Sequence, residues 1–187
     1  CGSPKAQTAR RRRRTSRRRR RSESNSYKAA VYGKGIVRWQ GAKGHTACPG
    51  GVYINPDEEA RAYSDVWGNE AKGTGHARSM LDSDQAWSPK HSIKRQWMQM
   101  DLGGEIEVAG TVVQGRKNYP QWVTQFNVAY SDNGKNWMMF PDIFSGNKDQ
   151  NGKVIALFKK PTKMRFLRVY VLRWHGSISM RAGVVLG

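Results

Sequence analysis

Gln96-Trp97-Met98-Gln99-Met100-Asp101-Leu102-Gly103 and Gln121-Trp122-Val123-Thr124-Gln125-Phe126-Asn127-Val128-Ala129-Tyr130-Ser131 decide the fold class of this chain. Successive side chains of an extended strand point to opposite sides. Trp97, Gln99 and Asp101 therefore share one side, and Met98, Met100 and Leu102 the other. Phe126, Val128 and Tyr130 alternate with Gln125, Asn127 and Ala129 in the same way. Ser131 to Lys135 then reads as a polar turn, and its Asn133-Gly134 pair is a strong hairpin signal. Val154 to Phe158 and Phe166 to Leu172 read as two further strands, with Gly103-Gly104, Gly115, Pro120, Pro141, Gly146, Gly152 and Pro161 as punctuation. Many short strands between regular turns point to an all-β antiparallel sandwich or jelly roll. No long segment has helical periodicity. Further upstream, Val31 to Trp39 reads as a strand interrupted by glycines. Asn55-Pro56-Asp57-Glu58-Glu59 reads as a capped helical turn, with Pro56 in its first position.

Charge divides the chain differently. The 187 residues carry +19; residues 1–21 hold ten Arg, one Lys and no acid, hence +11, leaving +8 for the remainder. Arg10, Arg11, Arg12, Arg13 and Arg14, then Arg17, Arg18, Arg19, Arg20 and Arg21, form a low-complexity block around Thr15-Ser16. The block has nothing apolar to bury, which predicts a disordered arm. Residues 1–26 are read as this polycationic arm and a polar linker. Seven Trp, seven Tyr and five Phe lie almost wholly beyond it, enough for a sizeable core in one domain. No apolar run approaches the roughly 18 residues of a membrane span. The first residue is Cys1 rather than Met, which predicts a processed form or a fragment.

Enzyme signatures find no support. His45, His76, His91 and His175 lack zinc spacing, and no Cys-x-x-Cys occurs. No Gly-x-Ser-x-Gly elbow is present, and Gly73-Thr74-Gly75 lacks the lysine and flanking elements of a phosphate loop. The chain is read as non-catalytic.

Ser79-Met-Leu-Asp-Ser-Asp-Gln-Ala-Trp87, Gln96 to Gly103, Gly110-Thr-Val-Val-Gln-Gly-Arg116, Gln121 to Trp137, Phe166-Leu-Arg-Val-Tyr-Val171 and Trp174-His-Gly-Ser-Ile-Ser-Met-Arg181 follow one another in an order and spacing that resembles the discoidin family, the type C domain of coagulation factors V and VIII. The resemblance runs from about Tyr63 to the C-terminus. It implies an eight-stranded jelly-roll sandwich over residues 63–187, with 27–62 as an extension partly packed on it, and ligand binding through loops without catalysis. It also implies that the projecting loops are Tyr63 to His76, Lys90 to Arg95 and Arg116 to Tyr119.

By that resemblance Trp67, Arg116 and Tyr119 are the foremost contact residues, followed by Asn69, Lys94, Arg95, Lys117 and His175. The chemistry is apt: a Trp face stacks on sugar C–H groups or enters a lipid interface, and an Arg fork holds carboxylate, sulfate or phosphate. Each has a plain structural alternative. Trp67 could pack beneath its own loop, Arg116 could fix its turn through an ion pair, Lys94 and Arg95 could be solvated charges, and His175 a packed histidine. Of Trp87, Trp97, Trp122, Trp137 and Trp174, at least three are read as core. Sugar-binding relatives hold a structural calcium near the first loop, so Asp82 and Asp84 are either calcium ligands or turn caps. No other cofactor is called for.

Cys48 resembles the family's first disulfide cysteine, but the chain stops at Leu186-Gly187 without the second. It is either bridged to Cys1, a lone thiol, or paired beyond this sequence. The ten arginines of the arm should bind polyanions by counterion release. The expectation is a secreted, extracellular adhesion protein that binds cell-surface or matrix carbohydrate, with anionic lipid or matrix protein as further partners. The alternatives are a nuclear, nucleic-acid-associated basic protein and the accessory domain of a larger enzyme.

Overall fold

A computed structural model of the protein describes residues 53–187 and the backbone of 37–38. The disordered arm expected for residues 1–26, the strand read over Val31 to Trp39 apart from 37–38, and the part of the 27–62 extension before Tyr53 lie outside that description, and two further expectations do so too. One is the bridge between Cys1 and Cys48. The other is polyanion binding by Arg10, Arg11, Arg12, Arg13, Arg14, Arg17, Arg18, Arg19, Arg20 and Arg21, all of which lie outside the described residues. Among the described residues nine strands are assigned: β1 (Val37–Arg38), β2 (Tyr53–Pro56), β3 (Arg61–Tyr63), β4 (Trp97–Gln114), β5 (Trp122–Ser131), β6 (Met138–Met139), β7 (Phe144–Ser145), β8 (Val154–His175) and β9 (Arg181–Leu186). Each pairing between them is antiparallel. Among the described residues no helix is long and apolar enough to cross a membrane.

β4 and β8 are long because each serves two halves of the sandwich. The first half of β4 lies between β3 and the second half of β8, which continues to β5. The second half of β4 lies between β9 and the first half of β8, and β9 continues to β2 and β1. The β4–β8 register breaks between Asp101 and Ile106, where Gly103 takes a φ of +77° that a side chain would resist. Asp101 pins this bend: its Oδ1 accepts from the Gly103 amide at 2.8 Å, and both its carboxylate oxygens receive Arg165 of β8 at 3.0 Å.

The alternation read from the sequence sets the core. Met98, Met100 and Leu102 are fully buried, and they meet Phe126 and Val128 of β5, Leu167, Val169 and Val171 of β8, and Ala182 and Val184 of β9 in one cluster. Each fully buried side chain of this size stabilises by roughly 1.5–3 kcal/mol.

Three expectations need correction. Val154 to Phe158 and Phe166 to Leu172 belong to one strand, with Pro161 inside it rather than ending it. Asn55-Pro56 ends β2 instead of opening a helix; the one-turn 3-10 helix starts at Glu58. Asn55 is drawn away from any capping role because its buried amide is paired with Leu81, accepting from the Leu81 amide at 2.9 Å and donating to the Leu81 carbonyl at 3.2 Å. Of the five tryptophans, Trp87 alone is fully buried and Trp174 packs against the core from a partly exposed position. Strand parity puts Trp97 opposite Met98, on the outer face, where its ring centroid lies 3.9 Å from the Arg168 guanidinium carbon.

Candidate ligand-binding site

The loops at one end of the sandwich enclose a cavity of about 240 Å³ lined by Trp67, His76, Ser88 to Lys90, Ser92, Arg116, Gln121 and Ser177-Ile178. Trp67 owes its position to a tight turn. Gly68 and Asn69 adopt φ values of +68° and +54°, and the Trp67 amide donates to the Ser88 carbonyl at 2.9 Å. Val66 takes the place against the core, which leaves the Trp67 side chain 57% exposed. A large apolar ring held out by a fixed backbone is a ready contact surface.

His76 is held by Glu70, whose Oε2 accepts from the His76 amide and lies 3.0 Å from Nδ1. The amide bond is the main reason the Glu70 carboxyl sits below its usual range. The His76 carbonyl in turn accepts from the Ser88 amide at 3.1 Å, so the first loop and the Ser88 segment are one assembly. Asp65 ties in the rest. Its carboxylate accepts from the Lys90 amide at 2.8 Å and Gln96 Nε2 at 3.1 Å, and its carbonyl accepts from Trp87 Nε1 at 2.8 Å.

Arg116 comes from the turn after β4. Its Nε donates to Asn118 Oδ1 at 2.8 Å and its Nη1 to Gln121 Oε1 at 3.0 Å; Nη2 has no partner among the described residues. The expected alternative of an ion pair fixing that turn does not apply among the described residues, because amide oxygens do this work. Partial burial lowers the guanidinium pKa, with the Tyr119 ring nearby acting the other way. The Tyr119 centroid is 5.4 Å from the Arg116 guanidinium carbon.

Trp67 and Arg116 thus share one cavity, although they are far apart in the chain. Tyr119 is 55% exposed beside Arg116, outside the lining. Asn69, Lys94 and Arg95 are exposed and also outside it; the Arg95 amide bonds the Val171 carbonyl at 2.8 Å. Lys117 pairs with Asp84, and His175 stacks on Trp122 at 4.2 Å. Gln121, Ser177, Ile178 and Ser88 were not expected in the site. Gln121 carried a faint signal, a polar residue closing the Arg116 to Tyr119 turn, whereas Ser177 and Ile178 reach the cavity only through the fold.

Both Asp82 carboxylate oxygens and one of Asp84 are engaged by protein donors. Burial pushes the Asp82 carboxyl up, but hydrogen bonds from Lys153 Nζ at 2.7 Å and Gln114 Nε2 at 3.1 Å outweigh it and hold the pKa below its usual value. Asp84 is held low by its hydrogen bond from Lys117. Between them the Ser83 carbonyl receives Arg181 Nη1 at 2.7 Å. Among the described residues, no three His, Cys, Asp or Glu side chains gather as metal ligands.

The family model of the F5/8 type C domain matches residues 59–184. The chain belongs to that family. Within the F5/8 type C family it is 32% identical to lactadherin of Rattus norvegicus over 138 residues, which is 67% of this chain and 32% of lactadherin. It is 31% identical to retinoschisin of Mus musculus over 134 residues, 68% of this chain and 58% of retinoschisin. The chain therefore spans about a third of the one and somewhat over half of the other. Discoidin II of Dictyostelium discoideum superposes with a TM-score of 0.54 at 22% identity, covering 66% of this chain and 52% of that one. The family 32 carbohydrate-binding module of C. perfringens NanJ, solved in complex with galactose, gives 0.54 at 14% identity, covering 66% and 90%.

Proposed function

We propose that this protein is a non-catalytic recognition module that binds carbohydrate in the cavity shared by Trp67 and Arg116. One observation carries the reading: an exposed indole and a guanidinium with a spare nitrogen line a single small cavity, framed by fixed hydroxyl and amide groups. A sugar ring needs both an apolar face and directed polar partners. At about 240 Å³ the cavity lies below the roughly 300–1,000 Å³ of pockets for drug-sized ligands and suits one sugar unit. The galactose complex of the C. perfringens module supports the same use of the fold.

In this reading the protein works outside the cell in adhesion, and the arginine block of residues 10–21 adds salt-sensitive polyanion binding. Calcium is dispensable, because Arg181 supplies the positive charge among the loop oxygens. A glycan array, with and without calcium, tests the reading on the intact chain, on Trp67→Ala and Arg116→Ala, and on a chain lacking residues 1–21. Glycan signals that survive the deletion and vanish with either substitution support it. Signals that vanish with the deletion alone would make the arm the recognition unit and favour a nucleic-acid-associated role.

A further inference from the structure

Arg116 and Lys90 line the same cavity, and among the described residues neither forms an ion pair with a carboxylate. Elsewhere among the described residues some cations find acids, Lys117 with Asp84, Lys153 with Asp82, Lys159 with Asp142 and Arg165 with Asp101, while others such as Lys94 and Lys135 form no ion pair. Around the cavity the acids are already committed. Glu70 is held by the amide and ring of His76, and Asp65 by the Lys90 amide and Gln96. A partly buried guanidinium and an exposed ammonium therefore line one small cavity without a carboxylate partner among the described residues. Like charges repel, and an anion between them relieves the repulsion while gaining charge-assisted hydrogen bonds, most strongly at low salt.

We propose that the saccharide taken by this cavity carries a negative charge, as a carboxylate or a sulfate, held by Arg116 and Lys90 while its ring lies on Trp67. The proposal rests on the reading of the cavity as a saccharide site and adds the class of sugar. Arg116 is suited to the task before any ligand arrives. Asn118 and Gln121 fix two of its nitrogens, so the third is presented at little cost in side-chain entropy. Lys90 has a fixed backbone, through Asp65, and an exposed side chain able to close on the charge.

The test is an NMR titration of the full-length chain, following the indole N–H signal of Trp67. Methyl galactoside, methyl galacturonide and galactose 6-sulfate are compared at low salt, with Lys90→Gln and Arg116→Gln as variants. The arginine arm is the same throughout, so its contribution cancels between variants. At least one charged sugar is expected to bind about tenfold or more tightly than the neutral one, the scale of a charge-assisted hydrogen bond. That preference should shrink toward unity in each variant. Lys90 is exposed, so its variant keeps the test valid if Arg116→Gln misfolds. Equal affinity for neutral and charged sugars, or a preference untouched by both substitutions, overturns the proposal and leaves the saccharide reading standing. If no sugar shifts the Trp67 signal, both readings fall. If only vesicles of phosphatidylserine respond to Lys90 and Arg116, the anion belongs to a membrane surface and both fall as well.

Discussion

Nη1 of Arg181 donates to the carbonyl oxygen of Ser83 at 2.7 Å, joining the last strand to the loop between Asp82 and Asp84. The same buried guanidinium donates through Nε to Gly115 O at 2.6 Å and through Nη2 to Gln150 O at 2.9 Å and Asn151 Oδ1 at 3.0 Å. Four oxygens from three loops thus converge on one tethered cation. Arg181→Met is expected to cost about 3 kcal/mol, since it takes the donor from four oxygens of which that of Gly115 is buried and the others part-buried. Urea unfolding measures that loss. The unfolding temperature of the native chain should be the same in calcium and in chelator. A metal present at a thousand times its Kd would add about 4 kcal/mol, a rise that calorimetry would detect.

Trp67 stands outside the core. Its side chain is 57% exposed, so Trp67→Ala should change stability by no more than about 0.5 kcal/mol. Saccharide affinity should fall by about tenfold or more through loss of the ring face. Parallel calorimetry and titration check the two halves of this expectation. A large fall in stability would mean that Trp67 packs beneath its loop.

Arg168 lies between two indoles. Its guanidinium carbon is 3.9 Å from the ring centroids of both Trp97 and Trp137, and its fork donates to Gln99 Oε1 at 2.8 Å and Tyr170 Oη at 3.0 Å. This arrangement fastens the loop after β5 to the outer face of the sheet. A lysine keeps the charge but cannot stack as a plane or span both acceptors. Arg168→Lys should cost about 1–2 kcal/mol, with a change in tryptophan emission as Trp137 is released. Unchanged emission and stability would deny the clamp its role.

Tyr63 gives the protein an alkaline limit. Burial, then the nearby Glu58, raise its pKa well above the usual tyrosine value of 10.0. The folded state therefore holds the phenol proton more tightly than the unfolded chain. This stabilisation is complete below about pH 10 and declines as the pH rises further. Tyr63→Phe should lower stability at neutral pH, because the hydroxyl lies 2.8 Å from Ser79 Oγ, and should flatten the decline above pH 10. Urea midpoints between pH 8 and 11 follow both effects, about 1 kcal/mol for the neutral-pH loss.

The chain itself determined the strand class and much of the core. A period of two is a property of neighbouring residues, so Met98, Met100 and Leu102 could be placed on one face before any partner was known. The same parity put Trp97 on the side opposite Met98, and the structure makes that side the outer face. The loop at 116–119 and Trp67 were singled out by the family resemblance, and the structure decided between an exposed and a packed Trp67 in favour of exposure.

Only the tertiary structure decided what stands beside what. Asn55 became the buried partner of Leu81 and not a helix cap, a choice made by a contact 26 residues away. Pro161 continues β8 because the strand bends across both halves of the sandwich. Trp67, Arg116, Gln121 and Ile178 meet in one cavity because separate loops are brought to the same end of the sandwich. Local periodicity depends on the geometry of a few consecutive peptides, whereas a binding site depends on the closure of loops whose ends are fixed by distant hydrogen bonds and buried apolar surface.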